Sequence, residues 1–325
     1  HLARGKTEIS VKVRPMGAKE DVLDRTIPSI WDWGDYSPDF SAEDFFRWAL
    51  LNRMTPEGAY AQSDRLQRHF AAALTSERRL AAGVDHGLTA SVIMPVYNRE
   101  RSVEAAIRSV IAQTDPNWRL IIVDDGSSDR SVEVIQRMIA EAPDHDITLI
   151  EAPRNAGVSA ARNLGLAQAT GDVIAYLDSD NAWKPDYLSI MLAALARAPD
   201  RRSAYAGSEI WVRDPDTGDA ELTGVFANPY ARSVLETRNF IDLNIFVHRR
   251  DLYEDHGGFD EDMRRLVDWR LILRYTKGAP PLFVPLLLSE YFIDAGAGQI
   301  TATVGYENNH EKILAETDLS EEFAA

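Results

Sequence analysis

From residue 88 onward, short runs of apolar and β-branched residues alternate with stretches of helical periodicity. "ASVIMPVY" precedes "RSVEAAIRSVIAQ", in which one helical face carries Val103, Ala106, Ile107, Val110 and Ile111. "WRLIIVDD", "DITLIEAP" and "DVIAYLD" continue the pattern, and "VSAARNLGLAQAT" is helical between the last two. Strands that are apolar on both faces and are separated by helices of about a dozen residues are typical of βαβ units. We therefore predict an α/β fold with a mostly parallel central sheet flanked by helices.

The sequence before residue 88 has a different pattern. "SAEDFFRWALLNRM" opens with Ser41 as a candidate N-cap and has an acidic residue three positions later. The next stretch runs from Pro56 to Gly83, residue types that favour the start and the end of a helix. We therefore predict that residues 1–88 form a mostly helical N-terminal extension.

The α/β part is assigned to residues 89–325. Its first half, 89–202, keeps the regular alternation, whereas from 203 to 325 the alternation becomes irregular and predicts a mixed sheet. Aromatic residues in the extension either bind a partner or a sugar or, as we favour, pin the extension to its own domain. These residues are Trp31, Trp33 and Trp48. Association with a membrane surface or a partner domain through the extension stays open.

Composition excludes several classes of protein. The 325 residues are 45% hydrophobic and 26% charged, which is typical of a soluble globular protein. Without cysteine there is no disulfide or thiolate metal site, and a reducing cytoplasm fits. A net charge of −16 argues against nucleic-acid binding, and it would repel a phosphate ester unless a divalent cation intervened. No apolar stretch approaches the roughly 18 to 20 residues of a transmembrane helix, and "HLARGKTEIS" lacks the apolar core of a signal peptide.

Polar residues follow three of the predicted strands where each strand ends. In chain order they are Pro95, Tyr97 and Asn98, then Asp124 and Asp125, then Asp178 and Asp180. The carboxyl ends of parallel strands share one edge of a sheet, and ligands bind beyond that edge. The sequence therefore predicts that these residues gather in one binding site.

Four segments in this order resemble motifs of family 2 glycosyltransferases with the GT-A fold: "SVIMPVYNRE", "LIIVDDGSSD", "NAGVSAARNLGLAQATGDVIAYLDSDN" and "GGFDEDMRRLVDWRLILRY". The resemblance does not cover the first 88 residues or the C-terminal segment. It implies a Rossmann-like GT-A sheet and an inverting, metal-dependent transfer of a sugar from a UDP-sugar to a hydroxyl of a glycan or lipid-linked acceptor. Polysaccharide or glycolipid biosynthesis in the cytoplasm, at the inner face of the membrane, is the implied setting.

The resemblance also implies roles at the donor nucleotide. Tyr97 would stack on the nucleobase, as aromatic rings do with any base, and Asp125 would accept a hydrogen bond from N3 of uracil. Arg162 would reach the base or the diphosphate, while Asp124 could equally be a structural acid bonded to amides of the turn "DGSSD". The full set implied at the nucleotide is Pro95, Tyr97, Asn98, Asp125, Arg162, Asp178 and Ser179.

The stretch Asp178, Ser179 and Asp180 matches the DXD element of the family. The resemblance implies that Asp178 meets the ribose and that Asp180 binds a divalent metal. Mn²⁺ or Mg²⁺ suits this place because hard cations prefer carboxylate and phosphate oxygens. His310, in "GYENNHEKIL", is a candidate for another metal ligand, and a lone surface histidine is the alternative.

Asp268 in "LVDWRL" occupies the place of the family's catalytic base, and an acid stabilised by the helix dipole is the structural alternative. Val267 stands where the family most often has Glu, so the resemblance does not extend to a second acid at this place. Asp260 is a candidate for acceptor binding and, with Glu261 and Asp262, an alternative to the base. The neighbouring Trp269 is interpreted as an acceptor wall or as core packing.

Three other functions compete with a transferase. A sugar-1-phosphate nucleotidylyltransferase needs a glycine-rich and basic loop where this chain has "PVYN", and a dinucleotide-dependent dehydrogenase needs a GxGxxG that is missing after the first strand. A donor-binding or assembly module of a multidomain synthase, with little activity of its own, stays as the alternative. Asp180 and Asp268 together favour an enzyme.

Overall fold

The computed structural model describes most of the chain after residue 83. The described residues are 7–13, 23–29, 81, 84–214, 217–294 and 313. In the N-terminal part, strands β1 (Thr7–Val13) and β2 (Leu23–Ser29) pair antiparallel with each other. The helices predicted from Ser41 and Pro56 lie outside the described residues, as do the three tryptophans of the extension.

From residue 84 the described chain alternates strands and helices. The strands are β3 (Ala90–Val96), β4 (Trp118–Asp124), β5 (Ile147–Glu151), β6 (Val173–Tyr176), β7 (Ala182–Trp183), β8 (Ser203–Arg213), β9 (Ala220–Phe226), β10 (Phe246–Arg249) and β11 (Leu282–Asp294). The helices are α1 (Val103–Ile111), α2 (Ser131–Glu141), α3 (Val158–Ala167), α4 (Tyr187–Arg197), α5 (Arg232–Leu235), α6 (Arg250–His256) and α7 (Val267–Tyr275). A 3-10 turn, Leu243–Ile245, precedes β10.

Within the described residues, nine strands form one sheet in the order β5-β4-β3-β6-β10-β8-β11-β7, with β9 added beside β8. Strands β5, β4, β3 and β6 are parallel, as predicted from the regular alternation. Beyond β6 the sheet is mixed, because β10 runs antiparallel to both β6 and β8 while β11 is parallel to β8. The α/β prediction is confirmed, and the carboxyl ends of β3, β4 and β6 meet at one edge.

Burial on both faces explains the continuous apolar strands. Ile93 in β3, Ile122 in β4 and Ile174 in β6 are fully buried. Helix α3 approaches this layer closely because Gly165 has no side chain, and a Cβ there would lie 2.7 Å from a methyl carbon of Ile93. This close approach holds α3 against β3. Hydrogen bonds from Gly157 to Asp125 and from Arg162 to Asp178 place the start of α3 beside the ends of β4 and β6, where the predicted site residues lie.

A buried histidine fixes the first strand of the mixed half against the parallel half. His248 in β10 accepts a hydrogen bond at Nε2 from the Tyr176 hydroxyl (2.9 Å) and donates from Nδ1 to the Arg249 carbonyl (2.8 Å). Burial lowers the pKa of His248 to about 4, so the ring is neutral near pH 7. The hydrogen bond from Tyr176 thus adds a side-chain link to the pairing of β10 with β6.

Candidate active site

Asp124, at the end of β4, is buried and closes its own turn. Its Oδ2 accepts hydrogen bonds from the amides of Gly126 (3.2 Å) and Ser127 (3.0 Å). Gly126 adopts a φ of +73°, and a Cβ there would lie 2.8 Å from the backbone of Arg154. These contacts agree with the interpretation of Asp124 as a structural acid bonded to the amides of its turn.

Asp125 is also buried, and both of its carboxylate oxygens accept backbone amides. Oδ1 accepts from Ala156 and Oδ2 from Gly157, both at 2.8 Å. The Asp125 amide donates to the Val96 carbonyl at 2.8 Å. Asp125 therefore ties β3 and β4 to the loop that begins α3. A carboxylate oxygen can accept more than one hydrogen bond, so these contacts leave acceptor capacity for a ligand.

The residues around the end of β3 are divided between the sheet and its edge. Pro95 lies inside β3, opposite Val123, and not after the strand as the sequence analysis placed it. Tyr97 is 45% exposed, a high value for an aromatic side chain. Asn98 adopts a left-handed φ of 53°, and its Oδ1 accepts the Ser128 amide at 2.8 Å. Tyr97 is thus an accessible ring on a fixed turn.

Arg162 joins α3 to two other parts of the site. This buried side chain of α3 donates to Oδ1 of Asp178 at 2.6 Å, and its guanidinium carbon lies 5.2 Å from the centre of the Phe259 ring. The first contact is with the DXD element and the second with the "GGFDED" loop. The Arg162 side chain is buried and that of Asp178 is 31% exposed, so water screens this pair only in part.

Asn244 fixes the other side of Asp178. Its Oδ1 accepts the Asp178 amide at 2.7 Å, and its Nδ2 donates to Oδ2 of Asp178 (3.4 Å) and to Oδ1 of Asp242 (2.7 Å). Sequence reasoning did not identify Asn244 or Asp242. A signal did exist in "NFIDLNIF", since polar residues directly precede a buried strand that pairs with the DXD-bearing strand.

Asp180 lies at the accessible side of the DXD element. Ser179 is buried, whereas the Asp180 side chain is 37% exposed and its Oδ2 lies 3.3 Å from the Arg99 guanidinium. In the part of the chain that the structure describes, no group of three or more acidic or histidine side chains is arranged to hold a metal ion. The oxygen donor of Asp180 fits a hard cation that takes its other ligands from phosphate and water. His310 lies outside the described residues.

Asp268 is in the first turn of α7, after Leu266 with a left-handed φ of 63°. Its Oδ2 accepts a hydrogen bond from Nδ2 of Asn239 at 3.0 Å. Burial raises the pKa of Asp268 above its ordinary value; the Arg162 charge opposes this rise, and the Asp178 charge adds to it. A raised pKa gives a carboxylate a greater affinity for a proton, which suits a general base.

Several acidic side chains from distant segments face one another. Burial raises the pKa of Asp242 to about 7, and the charges of Asp178 and Asp268 add to the rise. The Tyr291 phenol on β11 also has a raised pKa, first because of burial and then because of the charges of Asp242, Asp178, Asp180 and Asp268. The structure thus brings the DXD element and Asp268 to one place, together with Asp242 and Tyr291, which the sequence analysis did not identify.

The two candidate acceptor residues have other contacts. Trp269 is 1% exposed, and its indole N–H donates to the Leu235 carbonyl at 2.6 Å. The structure therefore places Trp269 in the core, the second of its two interpretations, and not on an acceptor wall. Asp260 forms an ion pair with Arg270 on α7 and accepts the Asp262 amide at 2.9 Å.

None of the helices among the described residues combines the length and apolarity that a membrane crossing needs.

Known sequences match this chain either over about two thirds of its length or over about a third of it. The sequence model of glycosyl transferase family 2 matches residues 91–220. WcaA of Escherichia coli, a glycosyl transferase named for colanic acid biosynthesis, is 32% identical over 214 residues, which are 66% of this chain and 75% of WcaA. TuaG of Bacillus subtilis, named for teichuronic acid biosynthesis, is 40% identical over 102 residues, which are 31% of this chain and 40% of TuaG.

A second relative that aligns over about a third of this chain is WfgD of Escherichia coli. It is a β-1,3-glucosyltransferase named for UDP-Glc and α-D-GlcNAc-diphosphoundecaprenol. It is 37% identical over 107 residues, which are 33% of this chain and 41% of WfgD. The chain thus spans less than half the length of WfgD and TuaG.

Solved structures share the fold at low identity. TarS 1–349 of S. aureus in complex with UDP-GlcNAc has a TM-score of 0.54 at 18% identity, covering 72% of this chain and 69% of TarS 1–349. The mannosyltransferase PcManGT of Pyrobaculum calidifontis, in complex with GDP-Man and Mn²⁺, has a TM-score of 0.52 at 18% identity, covering 86% of this chain and 87% of PcManGT. These likenesses establish the GT-A fold. Since WcaA is matched at 32% identity over 75% of its length, the chain belongs to glycosyltransferase family 2.

Proposed function

We propose that this chain is an inverting, metal-dependent glycosyltransferase that moves a sugar from a UDP-sugar to a hydroxyl of a glycan or lipid-linked acceptor. The observation that carries the proposal is the meeting of Asp178 with Asp268. Each lies close enough to Arg162 and to Asp242 to affect a pKa or to share a contact, although the two are far apart in sequence. A donor-side acid and a buried base in the same site are what a single displacement at an anomeric carbon needs.

Asp268 acts as the base in this proposal. A sugar hydroxyl is a poor nucleophile near neutral pH, and removing its proton during attack accelerates the reaction by roughly a hundred- to ten-thousand-fold. The raised pKa of Asp268 favours proton uptake. The proton passes from the acceptor hydroxyl to the Asp268 carboxylate. At the same time the oxygen of the acceptor hydroxyl bonds to the anomeric carbon, and the bond from that carbon to the diphosphate breaks. One displacement inverts the configuration at this carbon.

The donor nucleotide is assigned to the edge formed by β3, β4 and β6. Tyr97 offers an exposed ring for the base, Asp125 offers carboxylate oxygens for the N3 proton of uracil, and Asp178 would meet the ribose. Arg162 is paired with Asp178, so it orients that acid and adds positive charge near the diphosphate. The TarS complex contains UDP-GlcNAc and the PcManGT complex contains GDP-Man. The proposed choice of uridine therefore comes from Asp125 and not from these likenesses.

Asp180 would hold Mn²⁺ or Mg²⁺ together with the donor phosphates, and Arg99 would have to share or release its contact with Asp180. The ion, when bound, neutralises charge that develops on the departing diphosphate. The PcManGT complex with Mn²⁺ supports this assignment. His310 stays a candidate for a further ligand.

The acceptor and the cellular setting are proposed from the relatives. WcaA and TuaG are named for the biosynthesis of polysaccharides, and WfgD for a lipid-linked sugar diphosphate. A glycan or lipid-linked hydroxyl, used at the cytoplasmic face of the membrane, fits these names. Polysaccharide or glycolipid assembly is therefore the proposed process.

The proposal is tested first by binding and then by turnover. Calorimetry with UDP should show tighter binding with Mn²⁺ than without it, and Asp180→Ala should remove most of the difference. Equal UDP binding under all these conditions would refute the metal assignment. Turnover is measured with UDP-glucose, UDP-galactose and their N-acetylated forms, by the release of UDP.

The base is tested with a nearly isosteric variant. Asp268→Asn should bind UDP as the parent does and lose at least about a hundredfold in turnover, because an amide does not take up the proton. Full turnover in Asp268→Asn would exclude it as the base. UDP binding without turnover of any donor by the parent chain would favour a donor-binding module instead.

A further inference from the structure

The Asp268 carboxylate has a neutral partner that none of the recognised motifs contains. Asn239 lies in the segment between α5 and the 3-10 turn, and its Nδ2 donates to Oδ2 of Asp268 at 3.0 Å. A hydrogen bond to an ionised group is stronger than one between neutral groups, and it favours the charged form of the acid. The contact therefore acts on both the orientation and the proton affinity of Asp268.

The orientation of the Asn239 amide is determined by a second contact. Its Oδ1 accepts the backbone amide of Ile241 at 3.2 Å, in a turn that the side chain itself closes. Only the oxygen of a carboxamide accepts a hydrogen bond from an N–H group, so the NH₂ group must be the one that faces Asp268. The amide is thus held at one end by the backbone and at the other by the carboxylate.

The charged groups around Asp268 do not replace this contact. Arg162 on α3 lowers the pKa of Asp268, and Asp178 after β6 raises it. The charge of Asp268 in turn raises the pKa of Asp242, before the 3-10 turn, and of Tyr291 on β11. Among the side chains of the described residues, hydrogen bonds within 3.5 Å give Asp268 one partner, Asn239. Backbone hydrogen bonds from Asp268 and Trp269 also lower the pKa of the Asp268 carboxyl. Asn239 is therefore the side chain that holds Oδ2, beside the backbone of the helix start.

We propose that Asn239 is a positioning residue for the catalytic base, whose amide fixes the Asp268 carboxylate for attack by the acceptor hydroxyl. This inference rests on the proposed function, because it assigns Asn239 to the same reaction. It also extends the site to the segment that reaches Asp178 through Asn244, so one short stretch of chain supports both the donor side and the base.

The decisive variant is Asn239→Asp. An aspartate there keeps an oxygen for the Ile241 amide, so the turn is retained, but it presents a second oxygen to Asp268 where the donor was. Turnover of the most active UDP-sugar should fall about ten- to a hundredfold in both Asn239→Asp and Asn239→Ala, with KM for the donor within about twofold. Thr237→Ala, a change at an exposed side chain bonded to its own turn, should leave turnover unchanged.

A pH profile separates positioning from folding. Loss of the amide donor raises the pKa of Asp268, so the acidic limb of turnover should move to higher pH in Asn239→Ala and further in Asn239→Asp, where a like charge is added. If Asn239→Asp keeps parental turnover and the parental acidic limb while Asn239→Ala loses activity, the residue only closes its turn and the proposal is overturned.

A direct titration distinguishes this inference from the proposed function. The pKa of the Asp268 carboxyl is measured by NMR on protein labelled at aspartate carboxyl carbons, with Asp268→Asn to assign the resonance. A rise in Asn239→Ala supports the contact even if the parent turns over none of the tested donors. An unchanged pKa overturns the inference, whatever Asp268→Asn shows about the base.

Discussion

Both oxygens of the Asp125 carboxylate are engaged by the backbone of the loop before α3. Gly157, one of the two donors, has a φ of 98°, a conformation that residues other than glycine rarely adopt. Asp125 therefore stabilises an unusual turn as well as offering its oxygens to a nucleobase. The two roles make different predictions for the protein without nucleotide.

We expect Asp125→Asn to lower the free energy of unfolding by about 1.5–3 kcal/mol in the absence of UDP. An amide group has one accepting oxygen, so one of the Ala156 and Gly157 amides faces an NH₂ group and loses a charge-assisted hydrogen bond. Urea denaturation monitored by circular dichroism measures the change. Asp144→Asn, at an exposed loop residue, is the control and should stay within about 0.5 kcal/mol of the parent. Parental stability with impaired UDP binding would mean that Asp125 serves only the ligand.

The acids of the site were predictable from the sequence, whereas their amide partners were not. Asp178 and Asp268 stand in recognisable motifs, and the structure brings them together. Asn239 and Asn244 stand in no motif, and their partners are far away in sequence. A side-chain amide acquires its role from the tertiary contacts around it, so neither periodicity nor spacing predicts that role.

At the scale of elements, Asn163 on α3 holds the "GGFDED" loop against the helix. Asn163 donates from Nδ2 to the Phe259 carbonyl (2.9 Å) and accepts the Phe259 amide at Oδ1 (2.8 Å). This paired contact requires close approach, because a Cβ on Gly258 would lie 2.3 Å from Oδ1 of Asn163. The loop in turn holds the Phe259 ring against Arg162.

Gly258→Ala should therefore lower the free energy of unfolding by about 1–3 kcal/mol, as overpacking does when the neighbouring structure is rigid. Because the loop would also move away from α3, the affinity for UDP should fall with it. Thermal unfolding and calorimetry measure the two effects. The matched control is Gly278→Ala, since a Cβ there meets no atom within 4 Å. Equal behaviour of the two variants would contradict the requirement for close packing.

The parallel elements were predictable because each strand carries a local signal. β3, β4 and β6 are short apolar runs buried on both faces, and the structure places them within a residue or two of the predicted positions. The mixed half carries weaker signals. β11 pairs with β8 through two register shifts, and β10 has four residues between two helical segments. Such elements are stabilised by their neighbours in the sheet, so their pattern is not visible in the local sequence.

At the scale of the whole molecule, the fold concentrates like charges. Asp178 follows β6, Asp242 precedes the 3-10 turn, and Asp268 begins α7. The charges of Asp178 and Asp268 nevertheless raise the pKa of Asp242, and the charge of Asp178 raises the pKa of Asp268. A net charge of −16 adds to this repulsion. Arg162 offsets part of it at Asp178 and Asp268. The site is therefore a place where the folded state costs free energy that other parts of the molecule must supply.

Asp242→Asn should make the metal-free and nucleotide-free protein more stable than the parent at pH 8. The pKa of Asp242 is about 7 in the folded protein against an ordinary value of 3.8, so the folded state binds more protons than the unfolded state between these values. The parent's free energy of unfolding therefore carries a contribution from Asp242 that decreases as pH rises through this window. Asparagine does not titrate, and its Oδ1 can still accept from Asn244, so the variant lacks this decrease.

The measurement is urea denaturation of parent and Asp242→Asn at pH 5, 6, 7 and 8. The advantage of the variant should grow with pH over this range and be smallest at pH 5, where Asp242 is protonated in the folded parent. Asp144→Asn, at an exposed loop residue, is the matched control for the removal of one carboxylate. An advantage of Asp242→Asn that is constant from pH 5 to pH 8 would show that Asp242 does not titrate in this window. The acidic side chains of the site would then ionise independently, because water or nearby positive charge screens them from one another.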